Sequence, residues 1–238
     1  MDNKVAILGV KFNTSPKNEI VDNIIMGLGE EDRKTIVMTP NPELLVIASN
    51  SEEYQNTLNS ANFSLPDGVG VVLAAKFLGK NISGRITGVD FMKSLCEKVS
   101  KQPVMIGLFG AQPGIAEKTS NCLREMYPSL QISYASHLPP SFKKGSPQID
   151  ILFVALGSPK QERWIAENIS SLPVKVIMGV GGSFDMISGK TKRAPNILQR
   201  IGLEWLWRLV LQPWRVKRQF KLFIFVWLVI KAKFNSSK

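Results

Sequence analysis

The sequence has few of the residues that bind metals or form disulfides. Its 238 residues include a single histidine, His137, and two cysteines, Cys96 and Cys122, which lie in different predicted helices and form no C-x-x-C pair. One histidine without a carboxylate cluster gives no metal-site signature, so we expect neither a metal nor another cofactor. The cysteines are expected to be free thiols, because a structural disulfide is rare in a reducing compartment.

Long apolar runs are also missing. The longest, Leu222–Ile230, has nine residues, whereas a helix that spans a bilayer needs about 20. The first residues lack the basic and apolar regions of a signal peptide. We therefore expect a cytoplasmic protein that can lie on the inner face of the cell membrane without crossing it.

Positive charge is concentrated in the last fifth of the chain. Residues 190–238 carry twelve lysines and arginines and one acid, Glu204, whereas residues 1–189 carry 18 basic and 18 acidic residues. The tail therefore holds the whole formal net charge of +11. Its cations alternate with tryptophan and phenylalanine, which favours an anionic membrane surface as partner. A nucleic acid is the alternative partner of a basic segment, but the uncharged run Leu222–Ile230 argues against it.

Strands and helices are predicted to alternate through residues 1–189. Val104–Phe109, Ile149–Leu156 and Val174–Val180 are apolar runs that are each followed by a glycine-containing loop and a helical pattern. This alternation predicts an α/β fold, a Rossmann-like parallel sheet covered by helices. Residues 190–238 are predicted to form a separate, helical C-terminal appendage that associates with the membrane.

Two further predictions concern the ends of the chain. Val5–Val10 is an apolar, β-rich run that predicts one strand. In the appendage, Asn196–Leu211 and Val216–Phe234 are predicted as two helices, with a break at Gln212-Pro213, because proline cannot continue a helix.

Polar residues and glycines follow five of the predicted strands. They are Thr39 and Asn41, Asp67 and Gly68, Gly110 and Gln112, Gly157 and Gln161, and Gly179–Asp185. The carboxyl ends of parallel strands meet at one edge of a sheet, where backbone N–H groups and helix N-termini bind phosphates. Any one of these glycines can simply close a turn, but five such loops together favour a nucleotide-type ligand. No G-x-G-x-x-G fingerprint or P-loop is present, so a dinucleotide oxidoreductase or a P-loop NTPase is not expected.

Three charged residues near these loops have two interpretations each. Asp67 is either the N-cap of the next helix, which the local sequence favours, or a proton acceptor. Arg85 either binds a phosphate or is solvated. Asp185 either binds a ribose hydroxyl or caps the turn that follows it.

Six stretches of the sequence resemble the TagA/WecG/CpsF family of bacterial glycosyltransferases, and they occur in the family's order. They are TPNPELL (39–45), LPDGVGVV (65–72), RITGVDF (85–91), LGSPKQERWI (156–165), GVGGSFDMISGKTKRAP (179–195) and GLEWLWRLVLQPWRVKR (202–218). The resemblance implies an inverting, metal-independent transferase. Its implied donor is a UDP-sugar and its implied acceptor a polyprenyl-diphosphate-linked sugar, in the synthesis of cell-envelope polysaccharide or teichoic acid. The best-known members transfer N-acetylmannosamine, and homo-oligomer formation is left open.

The resemblance also implies roles for particular residues. Asp67 takes the position of the general base. The implied substrate-binding residues are Thr39, Asn41, Arg85, Gln161, Gly181, Gly182 and Asp185. The appendage arginines, Arg208, Arg215 and Arg218, either stabilise the leaving diphosphate or only contact lipid headgroups. A scaffold without catalysis is a further alternative, against which the intact PDG and SPKQE motifs argue.

The sequence departs from the family pattern at Ser136–Gln148, where family members carry a longer segment. We expect this shortening to change a wall of the site or an oligomer contact. Within the appendage, Ile201–Arg218 is expected to complete the site, and Phe220–Phe234 is expected to lie at the lipid interface.

Overall fold

The protein is described by a computed structural model that covers residues 4–30, 33–143, 145–200, 202–211, 213 and 216–235, without the side chains at 196, 200, 208 and 217–219. In this part of the chain the main sheet has six parallel strands, in the order β4-β3-β8-β7-β5-β6. Its strands are β3 (Thr35–Met38), β4 (Phe63–Ser64), β5 (Met105–Gly110), β6 (Gln131–Ser136), β7 (Ile151–Ala155) and β8 (Val176–Gly179). Strands β1 (Lys4–Ile7) and β2 (Val10–Asn13) form a separate antiparallel hairpin.

Eleven helices are described. Those of the first 189 residues are α1 (Lys17–Gly27), α2 (Pro42–Ser49), α3 (Glu52–Asn59), α4 (Val69–Phe77), α5 (Gly88–Val99), α6 (Ile115–Met126), α7 (Lys160–Asn168) and α8 (Ser183–Ile187). The appendage contains α9 (Asn196–Arg200), α10 (Glu204–Leu211) and α11 (Val216–Asn235). None of the described helices is both long enough and apolar enough to cross a membrane.

The sheet is covered on both faces, as the apolar strands predict. All five residues of β7 are buried, and alternate residues of a strand point to opposite faces. Phe153 packs into the core under α1, α5, α6 and α8. Val154 packs into the core under the hairpin and helices α2, α3, α4, α7 and α11. The α/β fold with a parallel sheet is confirmed.

The N-terminal strand prediction is wrong, because Val5–Val10 turns back on itself. Leu8 and Gly9 have positive φ angles of 50° and 81°, and they connect β1 to β2 in a two-residue hairpin. Both central residues of such a tight hairpin turn adopt positive φ, for which glycine is best suited. The alternation of Val10, Lys11 and Phe12 was the sequence signal for the second strand.

The helix predicted at Asn196–Leu211 is divided into α9 and α10. Gly202 lies between them with a φ of +79°, a backbone conformation that ends a helix. A Cβ at this position would lie 2.8 Å from Cβ of Val69. Glycine therefore allows the appendage to approach the first turn of α4.

The last helix, α11, is part of the core as well as of the surface. Phe225 and Val229 are 2% and 6% exposed, and they belong to the same apolar cluster as Leu44 and Leu45 of α2. Lys221 pairs with Glu43 of α2 at 3.2 Å. Helix α11 therefore packs directly against elements of the first 189 residues.

Candidate active site

A cavity of about 790 Å³ lies at the carboxyl ends of β3, β4, β7 and β8. The loops that leave these four strands all contribute residues to its wall. The loop that leaves β5 contributes none of the described residues of this wall. There, Gly110 has a φ of +107°, and a Cβ would lie 2.8 Å from the backbone of Ala155. Close packing against the neighbouring strand explains this glycine, so at one of the five exits the glycine has a structural role rather than a place in the cavity wall.

Five helices of the described core begin at this cavity. The first residues of α2, α4, α5, α7 and α8, or the loops directly before them, line its wall. The backbone N–H groups at a helix N-terminus lack partners within the helix, and the helix dipole adds a partial positive charge there. The arrangement suits an anionic ligand such as a diphosphate.

Seven of the predicted site residues line the cavity: Thr39, Asn41, Asp67, Arg85, Gln161, Gly181 and Gly182. Asp185 is not among the described residues of the wall. It lies inside α8, and its carboxylate is 3.3 Å from Nζ of Lys190. Arg215 and the side chains of Arg208 and Arg218 lie outside the described residues, so their implied role stays a prediction. No described residue of the shortened segment 136–148 lines the cavity.

Backbone hydrogen bonds hold Asp67 in place. Its N–H donates to the carbonyl oxygen of Pro40 at 3.1 Å, and the next loop is held by the N–H of Ile86, which donates to Pro66 at 2.9 Å. The N-cap residue of α4 is Gly68, with a φ of +97°. Asp67 is therefore not the N-cap of this helix, and its side chain lies at the cavity wall.

Asn41 has a structural role at the same wall. It is the N-cap of α2, and its Oδ1 accepts a hydrogen bond from the N–H of Leu44 at 3.2 Å. The neighbouring Thr39 lies beside the first residue of α5, since a Cβ at Gly88 would be 3.6 Å from Oγ1 of Thr39 and equally far from Oγ of Ser183. The hydroxyl-bearing Thr39 and Ser183 and the amide-bearing Asn41 thus all line the cavity where α2, α5 and α8 begin.

The arginines of the cavity region form ion pairs that the sequence alone did not indicate. Arg85 lies 3.7 Å from Glu204 of α10, and the two side chains are 21% and 13% exposed. Arg193 donates two hydrogen bonds to Asp90, at 2.7 and 2.6 Å. Glu204 is the only acid of the appendage, and that isolation was the one signal in the sequence.

The pKa values of the second pair follow from this geometry. Burial alone would raise the pKa of Asp90, but hydrogen bonds from Arg193 and Thr87 outweigh burial and lower the pKa below its ordinary value. The hydrogen bonds to Asp90 raise the pKa of Arg193, and the charge of Asp67 contributes to the same shift. Both shifts favour the charged forms of the Asp90–Arg193 pair.

A buried carboxylate, which the sequence did not reveal, orients Gln161. Glu162 is 2% exposed and accepts hydrogen bonds from Gln161 Nε2 at 2.8 Å, Ser158 Oγ at 2.7 Å and the Tyr54 hydroxyl at 3.2 Å. Oε1 of Gln161 accepts the N–H of Gly181 at 2.9 Å. Burial and the charge of Glu162 raise the pKa of Tyr54. The amide of Gln161 is thus held by both its oxygen and its nitrogen.

One part of the cavity wall is apolar. It is lined by Leu73 and Phe77 of α4 and by Leu222, Val226 and Ile230 of α11. Within the described chain, no group of three or more histidine, cysteine, aspartate or glutamate residues is arranged to hold a metal ion. The cavity thus combines polar groups at strand exits with an apolar wall between two helices.

Comparison with known proteins identifies the family. Residues 5–238 match the Glycosyl transferase WecG/TagA/CpsF family. Three relatives bear the name N-acetylglucosaminyldiphosphoundecaprenol N-acetyl-beta-D-mannosaminyltransferase. The protein from Bacillus subtilis (strain 168) is 35% identical, over 84% of this chain and 80% of its own length. That from Bacillus spizizenii is 34% identical, over 88% and 84%, and that from Staphylococcus aureus (strain MRSA252) is 31% identical, over 97% and 93%. The chain belongs to the WecG/TagA/CpsF family and is a glycosyltransferase.

Proposed function

We propose that this protein transfers N-acetylmannosamine, or a related hexose, from a UDP-sugar to a polyprenyl-diphosphate-linked sugar, with inversion and without a metal ion. The product would enter the synthesis of a cell-envelope polymer. The observation that carries the proposal is the convergence of Asp67, Arg85 and five helix N-termini on one cavity. The names of the relatives support the acceptor class and the transferred sugar.

Asp67 is proposed as the general base. Its carboxylate accepts the proton of the acceptor hydroxyl while that oxygen attacks the anomeric carbon of the donor. The bond from the anomeric carbon to the diphosphate breaks, its electron pair leaves with UDP, and attack from the opposite side inverts the anomeric configuration. A correctly placed base of this kind contributes about 10² to 10⁴ in rate.

The charge that develops on the leaving UDP needs stabilisation. In the described site, the helix N-termini provide fixed partial positive charges, each worth about 0.3–1 kcal/mol. Arg85 provides a full charge at the cavity wall. Arg208, Arg215 and Arg218 are proposed to add theirs from the appendage. Because these groups are positioned before the reaction, they can replace the divalent ion on which other transferases rely.

The appendage is proposed to dock on the anionic inner face of the membrane. Phe220, Phe223, Trp227 and Phe234 of α11 are 58–74% exposed and share one helix face by their spacing. Nζ of Lys231 lies 5.1 Å from the ring centre of Trp227. An aromatic face bordered by lysine is typical of helices that lie in a lipid interface.

The test is Asp67→Asn, assayed with UDP-N-acetylmannosamine and N-acetylglucosaminyl diphosphate on a short polyprenyl chain. We expect kcat to fall by about a thousandfold, with unchanged unfolding and donor affinity. Asp22→Asn is the matched control, because Asp22 is a half-exposed surface residue paired with Lys98. Full activity of Asp67→Asn would refute the base assignment. Turnover that vanishes with EDTA and returns with a divalent ion would refute metal independence.

A further inference from the structure

Helix α11 presents three neighbouring stripes to three different surroundings. Phe225 and Val229 are buried against the core, and the aromatic face described above points outward. Between these two stripes lie Leu222, Val226 and Ile230, spaced four residues apart and therefore on one side of the helix. This third stripe lines the cavity.

Helix α4 supplies the opposite wall. Val69, Leu73 and Phe77 are also spaced four residues apart, and all three line the cavity. We call the space between Leu73 and Phe77 of α4 and the third stripe of α11 the apolar groove. A Cβ at Gly70 would lie 3.7 Å from Cε1 of Phe225, so the two helices approach closely at the inner end of the groove.

The apolar groove leads away from the reacting groups. Helix α4 begins two residues after Asp67. The stripe of α11 that borders the groove, from Leu222 to Ile230, covers eight residue steps and extends about 12 Å. Leu73, Phe77 and Val226 are 60%, 49% and 49% exposed although they line the cavity. The groove is therefore open along its length toward solvent, beside the outward aromatic face of α11.

These dimensions fit a particular part of the acceptor. Four carbon–carbon bonds of about 1.5 Å make an extended isoprene repeat of about 5 Å, so the groove has room for two to three repeats. We propose that the apolar groove binds the first two or three isoprene units next to the acceptor's diphosphate. This inference rests on the proposed function, because only a lipid-linked acceptor carries such a chain.

The position of the groove distinguishes this occupant from bulk lipid. The groove belongs to the same cavity whose wall contains Asp67. Lys221, four residues before Phe225, forms an ion pair with Glu43, which also lines this cavity. A ligand in the apolar groove would therefore have one end near Asp67 and the other end beside the aromatic face of α11. A sugar diphosphate with an isoprenoid tail has that polarity along its length, with a polar head and an apolar tail.

The experiment uses acceptors that carry one, two, three or four isoprene units on N-acetylglucosaminyl diphosphate, in detergent-free buffer without vesicles. We expect the acceptor KM of the full chain to fall roughly tenfold with each added unit, because each buries several apolar carbons. The fall should stop after the third unit, where the groove ends. A KM that does not depend on chain length, while turnover persists, would overturn the groove and leave the proposed function standing.

Variants locate the effect. Val226→Gln, and independently Leu73→Gln on the opposite wall, should raise KM for the three-unit acceptor about tenfold while the one-unit acceptor and the donor KM stay unchanged. Val210→Gln is the matched control, since Val210 lies in the appendage, is 67% exposed and is not among the described residues of the cavity wall. Equal KM changes in Val226→Gln and Val210→Gln would overturn the proposal. Failure of every acceptor with the wild-type chain would refute the proposed function itself.

Discussion

Two phenylalanines of α11, separated by one residue, are predicted to respond oppositely to the same substitution. Phe225 is 2% exposed and packs into the core, whereas Phe223 is 74% exposed. Removing a buried phenylalanine side chain costs about 3–5 kcal/mol of unfolding free energy. Because Phe225 also borders the cavity, we expect Phe225→Ala to cost about 3 kcal/mol, at the lower end. Phe223→Ala should change stability by less than about 0.5 kcal/mol.

Thermal unfolding in detergent-free buffer measures the difference. For a chain of this size, each kcal/mol shifts Tm by about 2–4 °C, so Phe225→Ala should lower Tm by about 6–12 °C and Phe223→Ala should leave it nearly unchanged. Flotation with anionic vesicles should show the reverse order, with binding by Phe223→Ala weakened about tenfold, because an interfacial phenylalanine buries apolar surface in lipid. Equal losses of stability in the two variants would refute the packing of α11 on the core.

Three further predictions concern acidic residues at or near the cavity. Glu162→Gln should raise donor KM about tenfold while acceptor KM stays constant, because a neutral amide holds Gln161 less firmly than a carboxylate; an unchanged donor KM would contradict the positioning role. Asp90→Asn should flatten the loss of stability below about pH 4 in urea unfolding, because a lowered carboxyl pKa stabilises the fold above its unfolded pKa and that stability disappears on acidification. Screening keeps this effect small, since the side chain is 41% exposed. Glu204→Gln should lower donor Kd about two- to fivefold by freeing Arg85, and calorimetry that shows weaker donor binding would refute this.

Much of the fold was predictable because it depends on local pattern. The uninterrupted apolar run of β7 indicates a strand buried on both faces. Serine is a favoured N-cap residue, and Ser51 caps α3 by accepting a hydrogen bond from the N–H of Tyr54 at its Oγ. The edge at which the loops meet follows from the parallel sheet itself. That Thr39, Asp67 and Gln161 line one cavity is therefore a consequence of topology that the sequence already contains.

What could not be predicted depends on contacts between distant segments. Asp90 and Arg193 are 103 residues apart in the chain, and neither local pattern indicates that they pair. Glu162 lies next to the predicted Gln161, but its burial results from the approach of Tyr54 from α3. Asp185 was predicted to bind substrate because it lies in the loop after β8. The direction of its side chain, however, depends on the short helix α8. Such pairings require the packed structure.

If Arg85 binds the donor diphosphate as proposed, its ion pair with Glu204 makes donor binding an exchange of one anionic partner for another. Arg85 faces the carboxylate of Glu204, so the net free energy of binding a diphosphate at Arg85 would be only the difference between its two anionic partners. In the proposed reaction the same exchange would run in reverse after transfer, when Glu204 pairs with Arg85 again as UDP leaves. Glu204 lies in α10 and Arg85 in the loop before α5. If the C-terminal helices move when they dock on a membrane, as proposed, the competition between Glu204 and the donor for Arg85 would change with them.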